Sequence, residues 1–132
     1  MNLTLTLGVN DLERTASFYG ELLQLPLERF VPADGHQPLL LLRRGDASIL
    51  FRELDNLAAL HPALFQNLDR HPLGVGLTLE FRISDLGPIR RAIDRQQRHL
   101  LYDLEDDEFK RSEIWLHDPD GYLVILCQEG GG

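Results

Sequence analysis

The sequence has 132 residues, 43% of them hydrophobic and 26% charged, which is typical of an ordinary globular protein of one domain. Its formal net charge of -8 repels nucleic acid and anionic membranes, so we expect neither as a partner. No apolar run reaches the roughly 20 residues of a membrane span. The single cysteine, Cys127, excludes an internal disulfide and suits a reducing cytoplasm, where we expect the protein.

The first half of the chain predicts one strand, one helix and three further strands. LTLTLGV at 3–9 alternates polar and apolar residues, which indicates a half-buried strand. Asn10 or Asp11 can cap a helix, which we expect from about Leu12 to Leu23, before Pro26. The later strands are predicted at 27–31, 38–43 and 47–53, with a loop at 33–37.

The second half repeats this order. LTLEFRI at 77–83 predicts a strand, and Ser84-Asp85 precede a helix at about 86–97, with Pro88 well placed in the first turn. Strands follow at 99–104, 113–117 and 122–128. The intervening connector predicts a short helix with Ala63, Leu64 and Leu68 among its apolar positions.

The two halves match at one constant separation. Thr4 and Thr78, Asp11 and Asp85, and Asp46 and Asp120 each lie 74 positions apart. Matches at a fixed offset are the signature of a duplicated unit. We therefore predict an α+β fold of two tandem βαβββ modules within a single domain. Module one is about 1–54, the connector about 55–74, module two about 75–129, and the tail 130–132.

Two motifs carry a resemblance to a known family. The module opening VNDLERTASFYGELLQL and the closing DPDGYLVIL resemble the vicinal oxygen chelate superfamily, which includes glyoxalase I, extradiol dioxygenases, and fosfomycin and bleomycin resistance proteins. The resemblance covers essentially the whole chain. It implies curved mixed sheets that enclose a pocket, and a homodimer. Fold alone does not assign the chemistry.

The resemblance also implies where a metal would bind. In catalytic members, His, Gln and Glu from the first and last strands of each module hold one metal. The corresponding positions here are Thr4, Thr78 and Ile125, and the 74-residue offset adds Phe51, or Leu50 if the register shifts by one. Aliphatic and phenyl groups do not ligate metals. We therefore expect no metal, no other cofactor and no catalytic residue, which favours the branch that resembles bleomycin resistance proteins.

Alternation along the strands predicts which side chains line the pocket. Thr4 and Thr6 oppose Leu3, Leu5 and Leu7, and Thr78 and Glu80 oppose Leu77, Leu79 and Phe81. We call these two sides the threonine face and the leucine face, and expect the leucine face to pack against the helices. The predicted ligand-binding residues are Thr4, Thr6, Phe51, Glu53, Thr78, Glu80, Phe109, Trp115 and Ile125. In the alternative, the apolar members fill the interior and the glutamates face water.

An acidic stretch contributes to this prediction. Residues 105–109, EDDEF, precede Trp115, and acids beside aromatic rings attract cations. For this stretch we nevertheless favour the simpler interpretation, a solvated turn and a core tryptophan. The mixed lining favours a small organic ligand, cationic or aromatic.

Three functional hypotheses follow. The first is a metal-free homodimer that sequesters a small organic molecule. The second is a glyoxalase-like lyase or a dioxygenase with a displaced metal, for which Glu53 and Glu80 are candidate ligands. The third is a module with a filled interior that serves protein interactions.

Overall fold

The structure is a computed structural model that describes residues 1–32, 37–60, 63, 72–108 and 110–129. It divides into two compact units, Met1–Leu73 and Gly74–Gly132. The predicted loop at 33–37 and the connector positions Leu64 and Leu68 lie largely or wholly outside the described residues.

The first unit contains a four-stranded sheet, sheet 1, in the order β1-β4-β3-β2. Strands β1 and β4 are parallel, and the other neighbouring pairs are antiparallel. The elements are β1 (Leu3–Val9), α1 (Leu12–Ala16), β2 (Leu27–Phe30), β3 (Leu39–Arg44), β4 (Ala47–Glu53) and α2 (Leu54–Leu60).

The first helix begins as predicted but changes its pitch. The side chain of Asp11 accepts hydrogen bonds from the backbone nitrogens of Glu13 and Arg14, so Asp11 is the N-cap. After Ala16 the chain continues as a π-helical segment, Ser17–Leu22. The backbone then turns through Gln24, which has a φ of 57°. The helical region thus ends before Pro26, and its wider second part departs from the uniform α-helix that the apolar spacing predicted.

The second unit contains sheet 2, in the order β5-β8-β7-β6, again with a parallel pair of first and last strands. Its strands are β5 (Thr78–Arg82), β6 (Tyr102–Asp106), β7 (Arg111–His117) and β8 (Leu123–Glu129), and its helix is α3 (Gly87–Arg95). The predicted start of the β6 strand at His99 is three residues too early. The four-strand order, repeated in both units, confirms the predicted α+β fold of two βαβββ modules.

Helix α3 is fixed at its start and along one side. Pro88 occupies its first turn, and Asp85 accepts a hydrogen bond from the backbone nitrogen of Gly87 at 2.9 Å. Arg90 donates to the carboxylate of Asp103 at 2.7 Å. Asp103 is paired with buried Ile114, so this contact places α3 on the leucine face of sheet 2.

The repeat is not uniform along the chain, because one hairpin is longer by a residue. In sheet 1 Arg43 pairs with Ser48, and in sheet 2 the equivalent pair is His117 with Leu123. Four residues, 44–47, separate the first pair, and five, 118–122, separate the second. The offset between the units is therefore 74 positions up to the third strand and 75 in the last strand.

The longer hairpin is built around a buried aspartate. The carboxylate of Asp118 accepts hydrogen bonds from the backbone nitrogens of Asp120 and Tyr122, at 2.8 and 2.9 Å. Gly121 completes the turn with a φ of 99°, which a residue with a side chain rarely adopts. The DPDG stretch is thus a structural turn. Among the described residues, no helix is long and apolar enough to cross a membrane.

Candidate functional site

The threonine face of sheet 2 gathers four of the predicted site residues. Thr78 is paired with Leu123, and Glu80 is paired with Ile125, which is in turn paired with Trp115. Residues paired across neighbouring strands project to the same side of a sheet. Thr78, Glu80, Trp115 and Ile125 therefore share one face, while their role in binding stays a prediction.

A buried carboxylate, Glu113, organises the centre of this face. Glu113 is only 6% exposed and is paired with Cys127 on β8. One of its oxygens accepts a hydrogen bond from the indole nitrogen of Trp115. The other accepts from the guanidinium of Arg111 at 2.6 Å and from the Cys127 thiol at 3.6 Å. Both carboxylate oxygens are thus occupied by donors of the protein itself.

These contacts keep Glu113 ionised. The hydrogen bond from Trp115 lowers the pKa of the Glu113 carboxyl below its usual range, with a further contribution from Arg111, and together they outweigh the opposing effect of burial. Conversely, the hydrogen bond and charge of Glu113 raise the pKa of Arg111. A buried carboxylate is stable only when it is paired in this manner.

The thiol of Cys127 lies between two carboxylates. Its single proton is shared between two acceptors, since the sulfur lies 3.1 Å from Oε1 of Glu80 and 3.6 Å from Oε2 of Glu113. Burial raises the pKa of the thiol to about 12, and its hydrogen bond to Glu80 contributes to the increase. Cys127 therefore acts as a neutral donor, in agreement with a buried thiol of ordinary or low reactivity.

Two aromatic side chains extend the face toward the edge of the sheet. Tyr102 on β6 is paired with Trp115, and their ring centroids lie 5.4 Å apart in an edge-to-face arrangement of 62°. Tyr102 is 48% exposed, whereas Ile125 beside Trp115 is 8% exposed. The face thus carries an aromatic and apolar strip with a carboxylate, Glu80, at its other end.

The acidic stretch lies elsewhere. Glu105 and Asp106 belong to β6, and Asp106 is paired with Arg111 at the far end of the hairpin from Trp115. Arg111 lies four positions before Trp115 on β7, which corresponds to about 13 Å along the strand. The described acids of this strand thus lie away from Trp115, and the carboxylate beside the indole is that of Glu113. Phe109 lies outside the described residues.

Sheet 1 differs from the prediction in its last strand. Thr4 is paired with Ser48 and Thr6 with Leu50, so these four share the threonine face. Phe51 is paired with Leu7, which places it on the leucine face. The ring of Phe51 is fully buried and packs against Tyr19 of the helical region, with centroids 4.7 Å apart.

Two predicted pocket residues are therefore corrected. Phe51 and Glu53 lie on the opposite side of sheet 1 from Thr4, because Glu53 is paired with Val9 of the leucine face. The physical reason is the extra residue in the second hairpin: a shift of one residue moves every side chain of a strand to the other face. Leu50, the other residue that the offset suggested, is the structural counterpart of Ile125.

The threonine face of sheet 1 is partly covered by α2. A Cβ atom on Gly8 would lie 2.3 Å from Cδ2 of Leu54, the first residue of that helix, and 3.5 Å from a methyl group of Leu57. Glycine at position 8 therefore permits the helix to approach the sheet closely. This part of sheet 1 therefore fits the alternative in which apolar side chains fill the interior better than it fits a ligand-binding surface.

The positions that a metal would require carry poor ligands. Thr4 and Thr78 offer only hydroxyl groups, Ile125 and Leu50 offer hydrocarbon, and Phe51 lies on the leucine face. These side chains do not fit the metal that the resemblance implies. Within the ranges that the structure describes, no group of three or more His, Cys, Asp and Glu side chains is arranged to hold a metal ion.

The sequence interpretation missed Glu113, Arg111 and Tyr102. A signal for Glu113 was present, because it precedes Trp115 by two positions on a predicted strand and so shares its face. Glutamate is usually solvated, and a buried one becomes apparent only when its donors are in place.

The fold has close counterparts among solved structures. No protein-family model matches the sequence, and no curated protein matches it. A member of the glyoxalase/bleomycin resistance protein/dioxygenase superfamily from Sphaerobacter thermophilus is similar, with a TM-score of 0.63, 14% identity, and coverage of 98% of this chain and 97% of the other. The chain has the fold of this superfamily.

Two further structures of this fold differ in function from one another. An antibiotic-binding protein from a Streptomyces species is similar with a TM-score of 0.61 and 16% identity, over 98% of this chain and 96% of the other. A lactoylglutathione lyase from Agrobacterium tumefaciens is similar with a TM-score of 0.58 and 14% identity, over 97% and 92%. The superfamily fold thus accommodates both binding and catalysis, and the site must decide between them.

Proposed function

We propose that this protein is a metal-free binding protein that sequesters a small organic molecule. The observation that carries the proposal is the threonine face of sheet 2, where Trp115, Ile125 and Tyr102 form an apolar strip beside Glu80. A few polar groups within a mainly apolar surface suit recognition of an organic ligand. The antibiotic-binding protein of the same fold supports this type of function.

The ligand site is assigned to sheet 2 rather than to sheet 1. On sheet 1, Leu54 lies against Gly8 on the threonine face, and Phe51 belongs to the buried side. On sheet 2, Glu80 and Tyr102 are exposed. The prediction that Thr4 and Thr6 of sheet 1 contact a ligand stays a prediction, and both side chains are exposed on their strand.

The proposal includes a homodimer, as the family resemblance implies, and a cytoplasmic location, which the single cysteine favours. Sedimentation equilibrium at micromolar concentration tests the oligomeric state. A purely monomeric species would contradict the dimer and leave the ligand proposal in place.

Elemental mass spectrometry and ligand screening test the function. The protein is purified without chelator or affinity metal, and its content of nickel, zinc, iron and manganese is measured. Traces far below one equivalent, together with a stabilising small molecule in a thermal-shift screen, are the expected result. A near-stoichiometric metal would refute the metal-free proposal. A screen in which no compound stabilises the protein would count against sequestration.

The second candidate is a metal-dependent lyase or dioxygenase with a displaced site. The Cys127 thiol lies between the carboxylates of Glu80 and Glu113, but among the described residues these three groups are not arranged to hold a metal ion. In addition, Arg111 and Trp115 already occupy the oxygens of Glu113. A stoichiometric metal that is lost in the Glu80→Gln variant would establish this candidate.

A further inference from the structure

Four side chains form one continuous row across the threonine face of sheet 2. The pairings run from Glu80 on β5 through Ile125 on β8 and Trp115 on β7 to Tyr102 on β6. Neighbouring strands lie about 4.8 Å apart, so Glu80 and Trp115, two strands apart, are separated by roughly 10 Å along the row. The row therefore has a carboxylate at one end and two aromatic rings at the other.

Two carboxylates of this face that contact Cys127, Glu113 and Glu80, differ in how their charge is balanced. Glu113 is buried, and its charge is balanced by the guanidinium of Arg111 at 2.6 Å. Glu80 is exposed, and the contact that its carboxylate makes with a described residue is with the Cys127 thiol. Because that thiol stays protonated, with a pKa raised to about 12, it donates a hydrogen bond without cancelling the charge.

The cations nearest to this row have partners of their own. Arg111 is committed to Glu113, and Glu80 is the weakest of the influences on its pKa. Arg82 also lies on this face, paired with Cys127, and has interactions of its own. Glu80 is thus the exposed carboxylate that borders the apolar strip.

From this arrangement we propose that Glu80 binds the cationic group of the ligand, an ammonium or guanidinium, while an apolar or aromatic body lies against half-buried Trp115 and exposed Tyr102. The proposal rests on the proposed binding function and specifies the class of its ligand. A cation beside Glu80 gains a charge-assisted hydrogen bond. An aromatic body gains contact with the indole ring and with the ring of Tyr102.

The test uses the intrinsic fluorescence of Trp115, the single tryptophan of the chain. Three probes share one phenyl ring and one four-carbon linker and differ in charge: 4-phenylbutylamine, 4-phenylbutanol and 4-phenylbutyrate. Each is titrated into the full chain at neutral pH and constant ionic strength. We expect the amine to bind at least about 10-fold more tightly than the alcohol, and the carboxylate to bind most weakly.

Two variants test whether Glu80 causes the preference for the amine probe. Glu80→Gln should weaken binding of the amine by about 10-fold or more and leave the alcohol unchanged. Glu105→Gln is the matched control, since Glu105 is an exposed carboxylate paired with Ser112 on the leucine face of the same sheet. It should leave the affinity of all three probes unchanged. Circular dichroism confirms that both variants are folded.

The outcomes separate this inference from the proposed function. Equal affinity for amine and alcohol, or an unchanged affinity in Glu80→Gln, overturns the cationic class and leaves small-molecule binding intact. Failure of all three probes to bind also overturns the inference. The binding function itself fails only if the broad thermal-shift screen finds no ligand of any charge.

Discussion

The indole nitrogen of Trp115 donates a hydrogen bond to the carboxylate of Glu113, a residue only 6% exposed. The same carboxylate pairs with Arg111. This contact couples the orientation of an aromatic ring on the threonine face to a buried charge, so Glu113 positions Trp115 rather than meeting a ligand itself.

Replacing Glu113 by glutamine should destabilise the fold and release the indole. Glutamine is of similar size but loses the charge that Arg111 balances, and we expect a loss of about 1–3 kcal/mol in the free energy of unfolding at pH 7. Urea denaturation measures the loss. The emission of Trp115 should shift and become more accessible to acrylamide, while Glu105→Gln leaves both unchanged.

The stability lost in Glu113→Gln should depend on pH. The pKa of Glu113 is lowered in the folded state below its ordinary value of 4.5. Its ionised carboxylate therefore stabilises the fold above that pH, and the contribution is lost as the pH falls below it. The stability difference between the natural protein and Glu113→Gln should shrink as the pH is lowered from 5 toward 3. A difference that stays constant over this range would contradict the ionised pair.

Cys127 should be unreactive while the protein is folded. Because the pKa of its thiol is raised to about 12, almost no thiolate forms at pH 8, and Ellman's reagent should react only after denaturation. A fast reaction of the folded protein would contradict this environment.

Alkaline pH should weaken the fold through the same group. The pKa of Cys127 in the folded state lies above the ordinary 9.0. The contribution of its protonated thiol to the free energy of unfolding is therefore fully present below pH 9 and is lost as the pH rises toward 12. The Cys127→Ser variant keeps a donor that does not ionise in this range. We expect the free energy of unfolding of the natural protein to fall more steeply between pH 9 and 11 than that of Cys127→Ser.

Phe51 should contribute more to stability than its neighbour Leu50. Phe51 is fully buried against Tyr19, so Phe51→Ala should lower the free energy of unfolding by about 3–5 kcal/mol. Leu50 is half-buried on the threonine face, and Leu50→Ala should cost less than about 2 kcal/mol. Exposed Phe30 provides a control that should change stability by less than about 0.5 kcal/mol on replacement by alanine. The opposite ranking of positions 50 and 51 would contradict the register.

Gly8 and Leu54 should be energetically coupled. A methyl group at position 8 meets the side chain of Leu54, and Gly8→Ala should destabilise the protein by about 1–3 kcal/mol. In the Leu54→Ala background the same change should cost clearly less. Gly20→Ala is the control, because its added Cβ finds ordinary contacts of 3.6 Å or more. Additive effects of Gly8→Ala and Leu54→Ala would contradict the packing of α2 on this face.

The amino-acid sequence by itself determined the order of elements and the duplication. Alternation predicted β1 at Leu3–Val9, the strand expected at 47–53 is β4, and a helix start was correctly expected behind Asp11. These features follow from local periodicity and helix capping, which depend only on residues that are close together in the sequence. The threonine face of sheet 2 was also predictable, because Thr78, Glu80, Ile125 and Trp115 follow the two-residue period along their strands.

Only the tertiary structure decided which residues of sheet 1 face which side, and which charges are buried. One additional residue in the hairpin at 118–122 changes the offset from 74 to 75, and a one-residue error exchanges the two faces of a strand. The burial of Glu113 depends on Arg111 and Trp115 on its own strand and on Cys127 from the neighbouring strand. Such pairing is a property of strand register and side-chain packing, and strand periodicity alone does not determine it.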